Sequence, residues 1–202
     1  MEDHVAAGAL RRARLELADR IESLTPDQWD TDSWCAGWRV RDVLGHLVSL
    51  AEASPLTIMS LPIRGGGRAD RALARMARRL GGRPVPELAD RLRAAARRRS
   101  GTSSPRGLGD VLVHGADMLR PVGQEFEVSP QDVVPILDVY SGLFGRLAFH
   151  ARPARGRRLV ATDADWSQGD GPEIDGRAID LLLFLANRRQ VVAALEGPGL
   201  DR

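Results

Sequence analysis

Residues Val40–Ala53 read VRDVLGHLVSLAEA. Val43, Leu44, Leu47, Val48 and Leu50 recur at the three-and-four spacing of a single helical face, so the stretch predicts a helix with its apolar stripe turned to a core. His46 falls on the edge of that stripe. Leu108–Pro121, LGDVLVHGADMLRP, repeats the arrangement, with His114 set among apolar positions. The chain has only four histidines, and two of them are placed on the apolar faces of helices.

Outward from these two segments the pattern is helix after helix with short breaks. Residues 3–23 carry Val5, Leu10, Leu15, Leu17 and Ile21 among charges and predict an amphipathic helix. The stretch LTPDQWDTDSWCAGWRV that follows holds three tryptophans and reads as an ordered loop, its indoles either lining a pocket or pinning the loop to the helices. SLPIRGGGRAD is a glycine-rich linker without the lysine and serine or threonine of a phosphate loop. Helical segments are expected at about 68–80, 87–99, 106–120 and 130–150, the one from 106 stopping before Pro121 and Gly123. This predicts a mostly α protein, a helical bundle over residues 1–152. The tail, 153–202, changes character: a β-like run at Leu159–Thr162, a turn dense in aspartate and glycine, a hairpin partner at Glu173–Ile174, and a helix from Gly176 to Leu195. It reads as a small C-terminal α+β module.

Composition bounds the function. Of 202 residues 43% are hydrophobic, which suits a globular chain, and no apolar run approaches the roughly 20 residues of a membrane span. The start lacks the basic, apolar and small-residue sequence of a signal peptide, and with one cysteine, Cys35, no internal disulfide is available. Both observations predict a cytoplasmic protein. There are 29 basic residues against 27 acidic, and every basic one is arginine. The arginine runs RADRALARMARRL and RLRAAARRRS read first as solvated helix faces; phosphate binding is the minor alternative, since no aromatic interleaving or nucleic-acid motif accompanies them.

In LGDVLVHGADMLRP, Asp110 and His114 are four apart and Asp117 is three further on, so all three side chains leave the helix near one face. His46 comes from another helix. Two imidazoles and a carboxylate from two bundle helices can make an open site for a divalent ion such as zinc. The same pattern also suits two hydrogen-bonded core histidines, with Asp110 placed favourably near the positive end of its helix. Cys35 has no histidine beside it in sequence and reads as a small buried hydrophobe.

LTPDQWDTDSWCAGWRVRDVLGHL, Leu24–Leu47, resembles the N-terminal signature of the mycothiol-dependent maleylpyruvate isomerase family, an actinobacterial branch of the DinB-like metalloproteins. That signature joins Thr-Pro-x-x-Trp to Cys-x-Gly-Trp-x-Val-x-Asp-Val and a histidine. LGDVLVHGADMLRPVG and VATDADWSQGDGPEIDGRAIDLLLFLANRR are similar to the second and the C-terminal blocks. The resemblance implies an up-down-down-up four-helix bundle whose metal, most commonly zinc, is held by His46, Asp110 and His114. It implies mycothiol as cofactor, a small electrophile as substrate, and a role for Arg188 in contacting an acidic substrate.

Three departures bear on that expectation. Asp110 stands where the family has glutamate, one methylene longer, which makes Asp117 an alternative ligand or a group that orients a histidine. WCAGW lacks the family's prolines, which predicts a looser loop. Asn187 replaces the glycine before Arg188. The implied chemistry is a metal-activated thiolate that adds to a conjugated double bond and leaves, as in an isomerase, or stays attached, as in a transferase. The alternative is a bundle of this fold without efficient catalysis, acting as a ligand-binding or interaction protein. Bundles of this kind often pair through an apolar helix face, so a homodimer is the oligomer to look for.

Overall fold

A computed structural model describes residues 2–54, 69–98, 105–142 and 154–200. Residues 60–68 of the expected linker 60–70, residues 100–104 of the expected break 100–107 and the stretch 143–150 of the predicted long helix lie outside the described residues. The chain divides into two compact units, Met1–Glu127 and Val128–Arg202. The helix that begins at Pro130 lies in the second of these units.

In the first unit, α1 (Glu2–Glu22) packs against α5 (Val85–Arg97) and α6 (Pro105–Leu119), and α3 (Val40–Glu52) packs against α4 (Ala69–Gly81), α5 and α6. Of the expected α1 stripe, Leu10, Leu17 and Ile21 are buried and Leu15 is half-buried; Ala13 of α1 and Leu88, Leu92 and Ala95 of α5 are buried as well. Each large aliphatic side chain so placed contributes about 1.5–3 kcal/mol. α5 begins at Val85, two residues before the position expected, because Pro86 sits in the first turn, where no N–H is needed. A short helix, α2 (Pro26–Trp29), lies within the expected loop. Thr25 and Gln28 form a capping box, with Gln28 N donating to Thr25 Oγ1 at 3.3 Å and Thr25 N to Gln28 Oε1 at 2.9 Å.

The α3–α4 crossing is set by two glycines. A Cβ on Gly45 would lie 2.3 Å from the carbonyl oxygen of Ala77 and 2.6 Å from the amide nitrogen of Gly81, and one on Gly81 would lie 2.8 Å from the carbonyl oxygen of Arg41. The backbones touch only because neither residue has a side chain. Arg41 ties the end of α4 in place, its Nε donating to Gly81 O at 2.6 Å.

Two arginines of the second run, and Arg83 ahead of it, are engaged. Arg93 pairs with Asp19 at 2.7 Å and Glu22 at 2.6 Å, and Arg83 with Glu87 at 2.9 Å. Arg91 donates from Nε to Glu52 at 3.0 Å.

The second unit packs α7 (Pro130–Ser141) against α8 (Ala178–Leu185), beside a three-stranded sheet of order β2-β1-β3 built from β1 (Arg158–Ala161), β2 (Ser167–Gln168) and β3 (Glu173–Gly176). Trp166 Nε1 donates to Asp138 Oδ1 at 2.8 Å, fastening this sheet to α7. The expected hairpin is corrected: Glu173–Gly176 pairs with β1 in parallel, Arg158 opposite Glu173, and the antiparallel partner of β1 is β2. The turn at 162–166 folds β2 back along one edge, and the chain then crosses to the other edge, where it runs in the direction of β1.

The expected helix to Leu195 also ends early, at Leu185. Asn187 adopts φ 62°, its N–H donates to Phe184 O at 3.0 Å, and the N–H of Arg188 donates to Leu183 O at 2.9 Å. This is a Schellman closure with asparagine in the left-handed position that glycine usually takes. A 3-10 turn, Arg189–Ala194, continues from it.

Candidate metal centre

α6 carries the densest chemistry. His114 and Asp117, three residues apart on one face, bond directly: His114 Nδ1 lies 2.9 Å from Asp117 Oδ2. Asp117 is fully buried, and the His114 side chain is 18% exposed. α3 delivers His46, whose ring packs edge-on against that of His114, centroids 5.0 Å apart, while Trp38 packs edge-on against His46 at 5.3 Å.

The tryptophan-rich turn supplies a third donor. Cys35 Sγ donates to Asp117 Oδ2 at 3.0 Å and lies 3.4 Å from His114 Nδ1. The reading of Cys35 as a buried hydrophobe is therefore corrected. No histidine is near it in sequence, but His114 is beside it in space, 79 residues on. The loop is not loose either. Trp34 N–H donates to the backbone carbonyl of Asp117 at 3.0 Å, Trp38 N–H to Cys35 O at 3.0 Å, and Ser33 Oγ–H to Trp38 O at 2.8 Å, while Gly37 takes φ 75° in the turn. These bonds replace the restraint that prolines would give. Beneath the loop, Arg39 donates from its backbone N to Asp42 Oδ2 at 3.1 Å and pairs with Asp30 at 2.7 Å, so the Val-x-Asp part of the signature starts α3. Arg120 lies over the Trp34 ring at 5.7 Å.

Electrostatics divides the two histidines. Burial, helped by the charge of His114, pushes His46 down to about 3, so it is neutral at pH 7. Burial opposes charge on His114 too, but its hydrogen bonds to Asp117 and Cys35 and the negative charge of Asp117 outweigh it, and the imidazole is pushed up to about 10. At neutral pH the metal-free pair is one imidazole and one imidazolium.

The donor atoms of Cys35, His114 and Asp117 all lie within 4.8 Å of one another. His46 stands beside this group through its ring contact, and its buried Nδ1 has no hydrogen-bond partner. Asp110, one turn before His114, is half-buried and stands outside the group. Thus His114 and Asp117 of the expected ligands come together with Cys35, while His46 touches the ring of His114 but, like Asp110, lies outside that donor group.

Residues 10–105 match the family model of the mycothiol maleylpyruvate isomerase N-terminal domain. These residues belong to that domain family. The resemblance read from Leu24–Leu47 is borne out. Over the whole chain, the fold is similar to two crystal structures of a mycothiol-dependent maleylpyruvate isomerase, one of them a histidine-to-alanine mutant, at TM-scores of 0.64 for the mutant and 0.61. Both are 12% identical to this chain, and each alignment covers 100% of it and 95% of the crystallised chain. The expected helical bundle with a small C-terminal sheet is that fold. No curated protein matches.

Arg188 belongs to the second unit. It follows the Schellman closure, donates from Nη1 to Ala186 O at 2.9 Å, and lines a cavity of about 370 Å³ with Arg157, Arg189, Phe184, Val192 and Leu200.

The metal that the family implies can be tested against these residues. Imidazole, thiolate and carboxylate are the ligand types that zinc and its neighbours take, and a buried imidazole nitrogen without a partner is the kind of atom that a ligand role would satisfy. The donor set fits.

Proposed function

We propose that the protein is a divalent-metal-binding, mycothiol-dependent enzyme, acting by thiol-assisted isomerisation or thiol transfer to a small electrophile. The observation that carries the metal reading is the buried, unpartnered Nδ1 of His46 beside the His114–Asp117 pair. His46, His114 and a carboxylate of α6 would hold the ion. Asp117 is the carboxylate favoured by the donor cluster, and Asp110 the one favoured by family spacing.

A bound divalent ion lowers the pKa of a coordinated thiol and so keeps it nucleophilic. The protein's own groups do the rest. Asp117, 2.9 Å from His114 Nδ1, fixes that ring's orientation. Trp38, packed edge-on against His46, shields one side of that ring. Arg188, with Arg157 and Arg189, gives the second unit a cationic pocket with apolar walls, suited to an acidic small molecule. No helix among the described residues is long and apolar enough to cross a membrane, and a reduced thiol pool fits a cytoplasmic enzyme; zinc is the ion this ligand set favours.

The test is elemental analysis of protein purified without chelators, wild type beside His46→Ala and His114→Ala, followed by thiol-dependent turnover of maleylpyruvate. About one divalent ion per chain, lost in both variants, supports the enzyme. A wild-type protein that holds no ion and takes none up supports the alternative, a binding or interaction protein of the same fold.

A further inference from the structure

We infer that Cys35 is itself a ligand of this centre, so that the metal is held by sulfur as well as by imidazole and carboxylate and ties the tryptophan-rich turn to α6. The inference rests on the metal reading above and adds to it a residue that neither the spacing on α3 nor that on α6 contains.

Three observations carry it. Sγ lies among donors, 3.0 Å from Asp117 Oδ2 and 3.4 Å from His114 Nδ1, and the third side of that triangle is 2.9 Å. With zinc–sulfur at about 2.3 Å and zinc–nitrogen or –oxygen at about 2.0–2.2 Å, donor pairs around a tetrahedral ion sit roughly 3.3–3.6 Å apart. The three atoms therefore need to spread by only a few tenths of an ångström. Second, the cysteine backbone is fixed: its N–H donates to Ser33 Oγ at 3.1 Å and its carbonyl accepts from Trp38 N at 3.0 Å, while Trp34 N–H anchors the turn on the carbonyl of Asp117, a residue of the same cluster. Third, the independent sign of a ligand site stands next to it in the unpartnered, nine-tenths-buried His46.

Hydrogen bonds now hold the cluster together, with Asp117 accepting from both Cys35 and His114. An ion entering it takes the place of those protons. The thiol loses its proton to solvent as the sulfur–metal bond forms, and no electrons are exchanged. Sulfur in the ligand set makes the site favour thiophilic ions over manganese or magnesium. It also sets up a competition within the enzyme: a substrate thiol arriving at the ion meets a resident thiolate already on it.

The test is a cobalt(II) titration of the full-length, chelator-stripped protein, followed by absorption spectroscopy, in wild type, Cys35→Ser, Cys35→Ala and His46→Ala. The expected result is a near-ultraviolet sulfur-to-cobalt charge-transfer band in wild type, absent from both Cys35 variants and, because the ion itself is lost, from His46→Ala. The Cys35 variants still fold by far-ultraviolet circular dichroism and bind cobalt more than about tenfold more weakly, since even outer partners of a ligand are worth 10–100-fold. Wild type that binds one cobalt ion without the sulfur band, and Cys35 variants that bind it equally well, would overturn the ligand role and leave the metal reading standing. Wild type that binds no cobalt, zinc or manganese would overturn both. If neither Cys35 variant folds, the band in wild type decides alone.

Discussion

Replacing Gly45 by alanine places a methyl group where α3 touches α4. Its Cβ would lie 2.3 Å from Ala77 O and 2.6 Å from Gly81 N, both backbone atoms that no rotamer change can move, whereas real contacts of this kind stay beyond 3.0 Å. The helices must separate by some 0.7 Å locally, and such overpacking costs about 1–3 kcal/mol. The helix-propensity gain of alanine over glycine, about 1 kcal/mol, offsets part of it. The net expectation is a loss of up to about 2 kcal/mol. Gly8→Ala is the control: in α1 the added Cβ meets only the tip of Arg12 at an ordinary 3.5 Å, so the propensity gain of about 0.5–1 kcal/mol is realised. Urea unfolding of the metal-free full chain, with both variants measured beside wild type, should move the midpoint down for Gly45→Ala and up for Gly8→Ala. Because His46 is the next residue along α3, Gly45→Ala should also weaken metal binding. A Gly45→Ala midpoint equal to or above wild type, with an unchanged slope, would refute the reasoning that backbone contact dictates this crossing.

The remaining predictions concern the histidines and the end of α8. His46, pushed down by burial, holds fewer protons folded than unfolded between pH 6.5 and about 3, so its stabilisation is present above pH 6.5 and lost as the pH falls. His114, pushed up, acts oppositely: its stabilisation is full below pH 6.5 and lost as the pH rises through about 10. NMR of the ring protons in metal-free protein should therefore show His114 still charged at pH 8 and His46 neutral at pH 5, and Asp117→Asn should bring His114 down; a His46 titrating near 6.5 would contradict the burial argument. Since His114 must shed its proton to bind metal, affinity should rise at least tenfold per pH unit between pH 7 and 9, and more steeply with Cys35 as a ligand because its thiol proton is released as well, readable by competition with a chelator. At Asn187, φ 62° predicts that Asn187→Gly is neutral or mildly stabilising and that Asn187→Val costs about 1–2 kcal/mol in thermal or urea unfolding. Equal stability of those two variants would argue against the left-handed closure.

The amino-acid order of this chain determined its local structure well. The stripes of α1, α3 and α6 follow from 3.6-residue periodicity, which is a property of neighbours along the chain, and so do the stops at Pro121 and the turn residues of the tail. The signature from Thr25 to Asp42 was also legible, because its capping box, its glycine in a positive-φ turn and its carboxylate at the start of α3 are short-range devices. Tertiary structure decided what periodicity does not encode. Whether β3 joins β1 in parallel depends on which sheet edge β2 has already taken, and whether α8 runs on through Asn187 depends on a single residue adopting φ 62°. Which side chains meet at the candidate centre is decided the same way. Cys35 and Asp117 stand 82 residues apart, and their contact arises from an anchored turn laid on α6. A cysteine on its own reads as a small apolar residue; only the fold, by setting a buried carboxylate and an imidazole against its sulfur, makes it a candidate ligand.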